Sequence, residues 1–100
     1  MKFKSGVQLS LGIQPVTFDA IHQVAKIYER HGQELVVTSV LDGAHQRGSR
    51  HFLGLAFDAR TRFFVPAEQL EVSEACKESL GPEYDVVLES NHLHIEYDPK

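Results

Sequence analysis

The chain has 100 residues, 42% hydrophobic and 24% charged, with a formal net charge of −4 and one cysteine. That is the composition of an ordinary globular protein, and the length suits a single domain spanning 1–100 with one core. No apolar run approaches the ~20 residues of a bilayer span, the acidic balance disfavours nucleic acid as a partner, and the lone Cys76 leaves no disulfide framework and no thiolate zinc cluster.

The opening Met1-Lys2-Phe3-Lys4-Ser5-Gly6 carries positive charge with no apolar stretch behind it. No secretory signal is therefore expected, and synthesis in the cytoplasm follows. Val7, Leu9, Leu11 and Ile13 then alternate with polar or small residues, the period of a strand or extended segment packed on a core, before Pro15. Thr17 is placed to cap a helix to about Arg30, with Phe18, Ile21, Ala25 and Tyr28 at helical spacing on its inner face. Gly32 supplies the stop.

The short β-branched run over residues 35–40 predicts a buried strand. Residues 42–50 are polar, contain Gly43 and Gly48, and are expected to form a loop. Over residues 53–59, Leu55 and Phe57 face one way while Gly54, Ala56 and Asp58 face the other. A strand there sets Asp58 on a face cleared of bulk. Phe63-Phe64-Val65 reads as core or cleft wall. Pro66 opens a second helix, with Val72, Ala75, Cys76, Ser79 and Leu80 as its inner stripe and Gly81-Pro82 as its end. Cys76 reads as a small buried hydrophobe. Two strands close the chain, Tyr84–Leu88 and His92–Tyr97, about a tight Ser90-Asn91 turn. On the last strand His92, His94 and Glu96 share one face, and Leu93, Ile95 and Tyr97 the other. The expected fold is α+β: a small, mainly antiparallel sheet with the candidate site on one face and two helices on the other.

The chemistry concentrates in two places. Ser49-Arg50-His51-Phe52-Leu53-Gly54-Leu55-Ala56-Phe57-Asp58 supplies an imidazole and a carboxylate, and His92-Leu93-His94 supplies two more imidazoles. Two imidazoles and a carboxylate around one ion, with the fourth position open to water, make a catalytic zinc site. Zinc lowers the pKa of such a water towards ~7, which is how a hydrolase obtains a nucleophile at neutral pH. The other histidines have plainer readings: His22 and His31 as surface or packing residues of the first helix, and His45 as a solvated loop residue. Arg47, Arg50, Arg60 and Arg62 form a local basic cluster, read as a solvated rim or as a surface attracting anionic peptide carboxylates or cell-wall polymer.

These residues resemble the zinc peptidases of the M15 group, the D-Ala-D-Ala carboxypeptidases and related peptidoglycan endopeptidases, which share the Hedgehog/DD-peptidase fold. The group's first motif, S-x-H-x-x-G-x-A-x-D, matches Ser49 through Asp58 at every specified position. Its second motif is E-x-x-H or H-x-H, and the chain presents both, as Glu89-Ser90-Asn91-His92 and His92-Leu93-His94. The order of elements from Thr17 onward also agrees, and the compact form looks most like phage or prophage members.

The resemblance implies that His51, Asp58 and His94 bind Zn2+, with His92 or Glu89 as the catalytic proton carrier. Read as H-x-H, His94 is the ligand and His92 lies beside the attacking water; read as E-x-x-H, His92 is the ligand and Glu89 the base. The H-x-H reading is preferred because His92 and His94 share a strand face. Glu96 is expected to face water or to pair with an arginine.

The chain departs from many relatives where an arginine follows the strand ending in Thr-Ser and polarises the scissile carbonyl. Here the sequence is Val40-Leu41-Asp42-Gly43, and Arg47 and Arg50 do not stand at the matching place. Two functions follow as expectations. One is a zinc peptidase cutting an amide of peptidoglycan stem peptides, reaching the wall by lysis or from a virion. The other is a non-catalytic, zinc-stabilised phage structural or peptide-binding module.

Overall fold

The computed structural model describes residues 1–5, 15–40 and 56–99. In chain order the elements are β1 (Lys2–Phe3), α1 (Pro15–Arg30), β2 (Val36–Ser39), β3 (Ala56–Arg60), α2 (Pro66–Leu80), β4 (Tyr84–Leu88) and β5 (His92–Tyr97). The strands form a five-stranded sheet ordered β1-β2-β3-β5-β4. Among the described residues the β1–β2 pair is parallel, and β2–β3, β3–β5 and β4–β5 are antiparallel. The expected α+β architecture of two helices and a mainly antiparallel sheet is therefore present. No helix among the described residues is long and apolar enough to cross a membrane.

Strand alternation separates core from site. Phe57 and Ala59 on β3, Leu93 and Ile95 on β5, Val86 on β4 and Val37 on β2 are buried in one cluster with residues of both helices. The opposite face of β3 and β5 carries Asp58, Arg60, His92, His94 and Glu96, all partly exposed. From α1 the core takes Ala20, Ile21, Val24, Ala25, Ile27 and Tyr28, and from α2 Val72, Cys76 and Leu80.

Pro15 rather than Thr17 begins α1, and Thr17 is buried within the first turn. Proline's fixed φ suits a first helical position, so the helix starts three residues earlier than a Thr17 cap requires. Phe18 is displaced from the expected inner stripe and is 42% exposed, while Ala20, Val24 and Ile27 fill the stripe instead. The helix ends as the sequence indicates. Gly32 has φ +77°, its N–H donates to the Glu29 carbonyl, and the Gln33 N–H donates to the Tyr28 carbonyl. This paired closure needs a residue in the left-handed region, where a Cβ is costly.

Pro66 and Gly81 bound α2 as expected. Its stripe differs at one position: Ser73 is buried, whereas Ser79 is exposed and its hydroxyl donates to the Gln23 Oε1 at 2.8 Å. Cys76 is fully buried, and burial pushes its thiol up to about 12, so it is an inert core residue. In the Phe63-Phe64-Val65 run, Phe64 is core, Phe63 packs at its edge and Val65 is exposed. The expected strand at Val7 to Ile13 and the loop at 42–50 lie outside the described residues.

Two hydrogen bonds tie α1 to the sheet. The buried Tyr28 hydroxyl donates to the Arg60 carbonyl at 2.8 Å, and the Tyr84 hydroxyl donates to the Val16 carbonyl at 2.9 Å. Burial pushes the Tyr28 phenol up, which keeps it neutral and a donor.

Candidate functional site

The register of β3 against β5 assembles the site. Asp58 stands opposite His94, Arg60 opposite His92 and Ala56 opposite Glu96. Directly opposed residues of an antiparallel pair have neighbouring side chains, so a carboxylate and an imidazole that are 36 positions apart in sequence meet. Ala56, opposite Glu96, is fully buried at one flank of the site. On the other side β2 is irregular between Val37 and Ser39, which places Ser39 against Asp58. A bulge of this kind re-aims side chains beside a site.

The contacts form a chain of acid, imidazole and acid. His94 Nδ1 lies 3.0 Å from Asp58 Oδ1, and His94 Nε2 lies 2.9 Å from Glu96 Oε1. With a carboxylate at each nitrogen, His94 is held in the doubly protonated form and donates to both. The Asp58 hydrogen bond is the largest cause, opposed by partial burial and reinforced by Glu96, and together they raise His94 from 6.5 to about 9. Glu96, expected to face water or to pair with an arginine, is 21% exposed and meets the His94 imidazole.

His92 lies at the edge of this group. Its Nε2 is 3.9 Å from Asp58 Oδ1, beyond hydrogen-bonding distance, and its Nδ1 is 2.7 Å from Asn91 Oδ1. Glu89 is exposed in the hairpin turn, where its N–H donates to the His92 carbonyl at 2.8 Å. His51, with Ser49 and Gly54 of the first motif, lies outside the described residues. His31 is not part of the site; its Nδ1 pairs with Glu68 Oε2 at 2.9 Å and its ring edges Phe64.

A cavity of about 290 Å³ opens beside Asp58 and His92. Among the described residues, Thr38 and Ser39 at the end of β2 line it together with Lys4, Arg60, Arg62 and Asn91. Among the described residues none of those three cations is paired with a carboxylate. The solvated-rim reading of Arg60 and Arg62 is thus incomplete: both line the recess next to the Asp58 carboxylate. Arg47 and Arg50 lie outside the described residues.

Among the described residues no three His, Cys, Asp or Glu side chains are grouped as a complete metal site. The donors that are described suit zinc in kind. A carboxylate oxygen and an imidazole nitrogen face one another at 3.0 Å, near the ~3.3 Å edge of a tetrahedron with ~2.0–2.1 Å metal–ligand bonds. The far nitrogen of that imidazole meets a carboxylate, the arrangement that fixes the tautomer and orientation of a metal-bound histidine. Two lone pairs so placed repel unless a cation lies between them; in the metal-free protein that cation is a proton. Comparison of the chain with known protein families, with curated proteins and with solved structures yields no match.

Proposed function

We propose that the chain is a zinc-dependent peptidase that hydrolyses an amide bond in peptidoglycan stem peptides, built on the Hedgehog/DD-peptidase fold. The observation that carries this reading is the meeting of Asp58, from the first motif, with His94, from the second, on adjacent strands, with Glu96 behind the imidazole. His51, Asp58 and His94 are the residues that would hold the ion. Bound there, zinc would supply the Lewis acidity that activates water and polarises a carbonyl at neutral pH.

The protein's own groups divide the remaining work. Glu96 keeps His94 Nε2 protonated, so that Nδ1 turns towards Asp58. His92, on the wall of the cavity and just beyond hydrogen-bonding reach of Asp58, is positioned to take a proton from the attacking water and deliver it to the leaving amine. Asn91 orients the His92 ring through Nδ1, leaving Nε2 for that transfer. Glu89, in the exposed turn, serves the hairpin.

A second reading, a zinc-stabilised binding module without turnover, is favoured by one observation, the Val40-Leu41-Asp42-Gly43 stretch without the relatives' arginine. Release of new amino groups from purified peptidoglycan, with and without chelator, tests the two. The peptidase reading expects zinc-dependent release. Zinc-loaded protein that releases none establishes the module instead.

A further inference from the structure

β3 ends where His92 stands. Arg60, its last residue, pairs with His92 on β5, and the next residue, Thr61, donates its N–H to the Asn91 carbonyl at 3.2 Å. The Asn91 side chain in turn holds the ring, with Oδ1 2.7 Å from His92 Nδ1. The placement of Thr61 therefore bears on the placement of that imidazole. Thr61 opens a tight turn that the Phe64 N–H closes by donating to the Thr61 carbonyl at 2.9 Å. Gln69, near the start of α2, spans the same turn: its Nε2 donates to the Thr61 and Phe64 carbonyls, each at 3.1 Å. Helical side chains lean towards the N-terminus, so a glutamine at this position reaches back over the segment that leads into its own helix. Thr61 and Phe64 are both buried, and buried carbonyls are costly to leave without a donor.

We infer that Gln69 is a positioning residue for His92: it fixes the turn at 61–64, the turn fixes Asn91, and Asn91 fixes the imidazole. The inference rests on the peptidase reading for what His92 does with a proton, though not for the linkage itself. The linkage brings α2, on the core side of the sheet, to bear on a side chain of the opposite face. It also has a partner in α1, since the Tyr28 hydroxyl holds the Arg60 carbonyl at 2.8 Å. Successive carbonyls at the end of β3 are thus gripped by one side chain from each helix. Gln69 is the sharper probe of the two, because Tyr28 is also a large core residue whose loss would disturb packing throughout.

The test reads the His92 ring directly, by nitrogen NMR of the full chain in chelator at a pH where the ring is neutral. In the parent the Asn91 oxygen accepts from Nδ1–H, so the proton is expected mainly on Nδ1, whereas an imidazole free in water prefers Nε2–H. In Gln69→Met, which keeps the length and loses both donors, the Nε2–H form should become the majority. Asn91→Ala should do the same, and the double variant should go no further than Asn91→Ala alone, the non-additivity of residues acting in series. Leu80→Ala, in the core at the far end of α2, should lower the melting temperature and leave the tautomer as in the parent. If Gln69→Met does not fold, Gln69→Asn, too short to reach both carbonyls, takes its place with the same expectation. A parent ring protonated mainly on Nε2, a Gln69 variant that keeps the parent's tautomer, or Leu80→Ala shifting it equally overturns the assignment. On stem peptides the Gln69 variant should lower kcat about 10–10²-fold, the scale for a misplaced catalytic group, with KM unchanged; an unchanged kcat beside a shifted tautomer overturns the catalytic role. A shifted tautomer in a protein that hydrolyses no peptide leaves the linkage standing and defeats only the peptidase reading.

Discussion

Replacing Glu96 by Gln removes one negative charge while keeping nearly the same shape, and so isolates what that charge does for His94. Glu96 Oε1 is 2.9 Å from His94 Nε2 and the pair is largely shielded from solvent, with side-chain exposures of 21% and 24%. A carboxylate there makes the imidazole a better donor of its Nδ1 lone pair and fixes the ring. A glutamine can still accept from Nε2–H through its amide oxygen, though without the charge. Loss of such a partner typically weakens metal binding about 10–100-fold, which is about 1.4–2.7 kcal/mol. Competition for zinc against a chromophoric chelator at fixed pH measures this directly, with the melting temperature of the metal-free protein as the control for folding. An affinity within twofold of the parent, in a variant that folds normally, would refute the claim that Glu96 supports a metal ligand.

In the metal-free protein His94 is raised from 6.5 to about 9, so the stability it contributes is fully present below about pH 6.5 and lost as the pH rises through about 9. Zinc must displace that proton, so its affinity should climb by about tenfold per pH unit across the same window; a pH-independent affinity would speak against His94 as a ligand. His92→Ala should retain zinc and lower turnover by about 10²–10⁴-fold, as for a lost general base, whereas Glu89→Gln should leave turnover within a few-fold; stopped-time assays on stem peptides distinguish them, and the reverse pattern restores the E-x-x-H assignment. Phe57→Ala, at a fully buried position behind Asp58, should cost about 3–5 kcal/mol in urea unfolding; a loss under about 1 kcal/mol would contradict the placement of the core on that face of β3.

What the sequence revealed of this molecule tracks the range of the interactions involved. Period-two alternation is local, so the sorting of His92, His94 and Glu96 from Leu93 and Ile95, and of Asp58 from Phe57, was readable from neighbours alone. The bounds of β4, β5 and α2 were marked by proline, glycine and the Ser90-Asn91 turn. The register that sets Asp58 against His94 is a long-range pairing, which no local pattern specifies, and only the motif resemblance brought the two residues together beforehand. The contact of Glu96 with His94 depends on a rotamer reaching along its own strand, which no local pattern specifies; the His-x-Glu spacing on one face is its available signal. The cavity is not legible for a similar reason, since Lys4 comes from the far end of the chain and is brought there by β1. That strand has two residues and docks through backbone bonds from Lys2 N–H to Leu35 and from Lys4 N–H to Val37, too short a segment for any periodicity to show.

Zinc stoichiometry by equilibrium dialysis, on the parent chain and on Asp58→Ala and His94→Ala, tests most directly the claim that these two side chains hold a catalytic ion. One tightly bound zinc per parent chain, lost in both variants while their folding is retained, is the expected result. A parent chain that retains no zinc, or variants that bind it as tightly as the parent, would contradict the account.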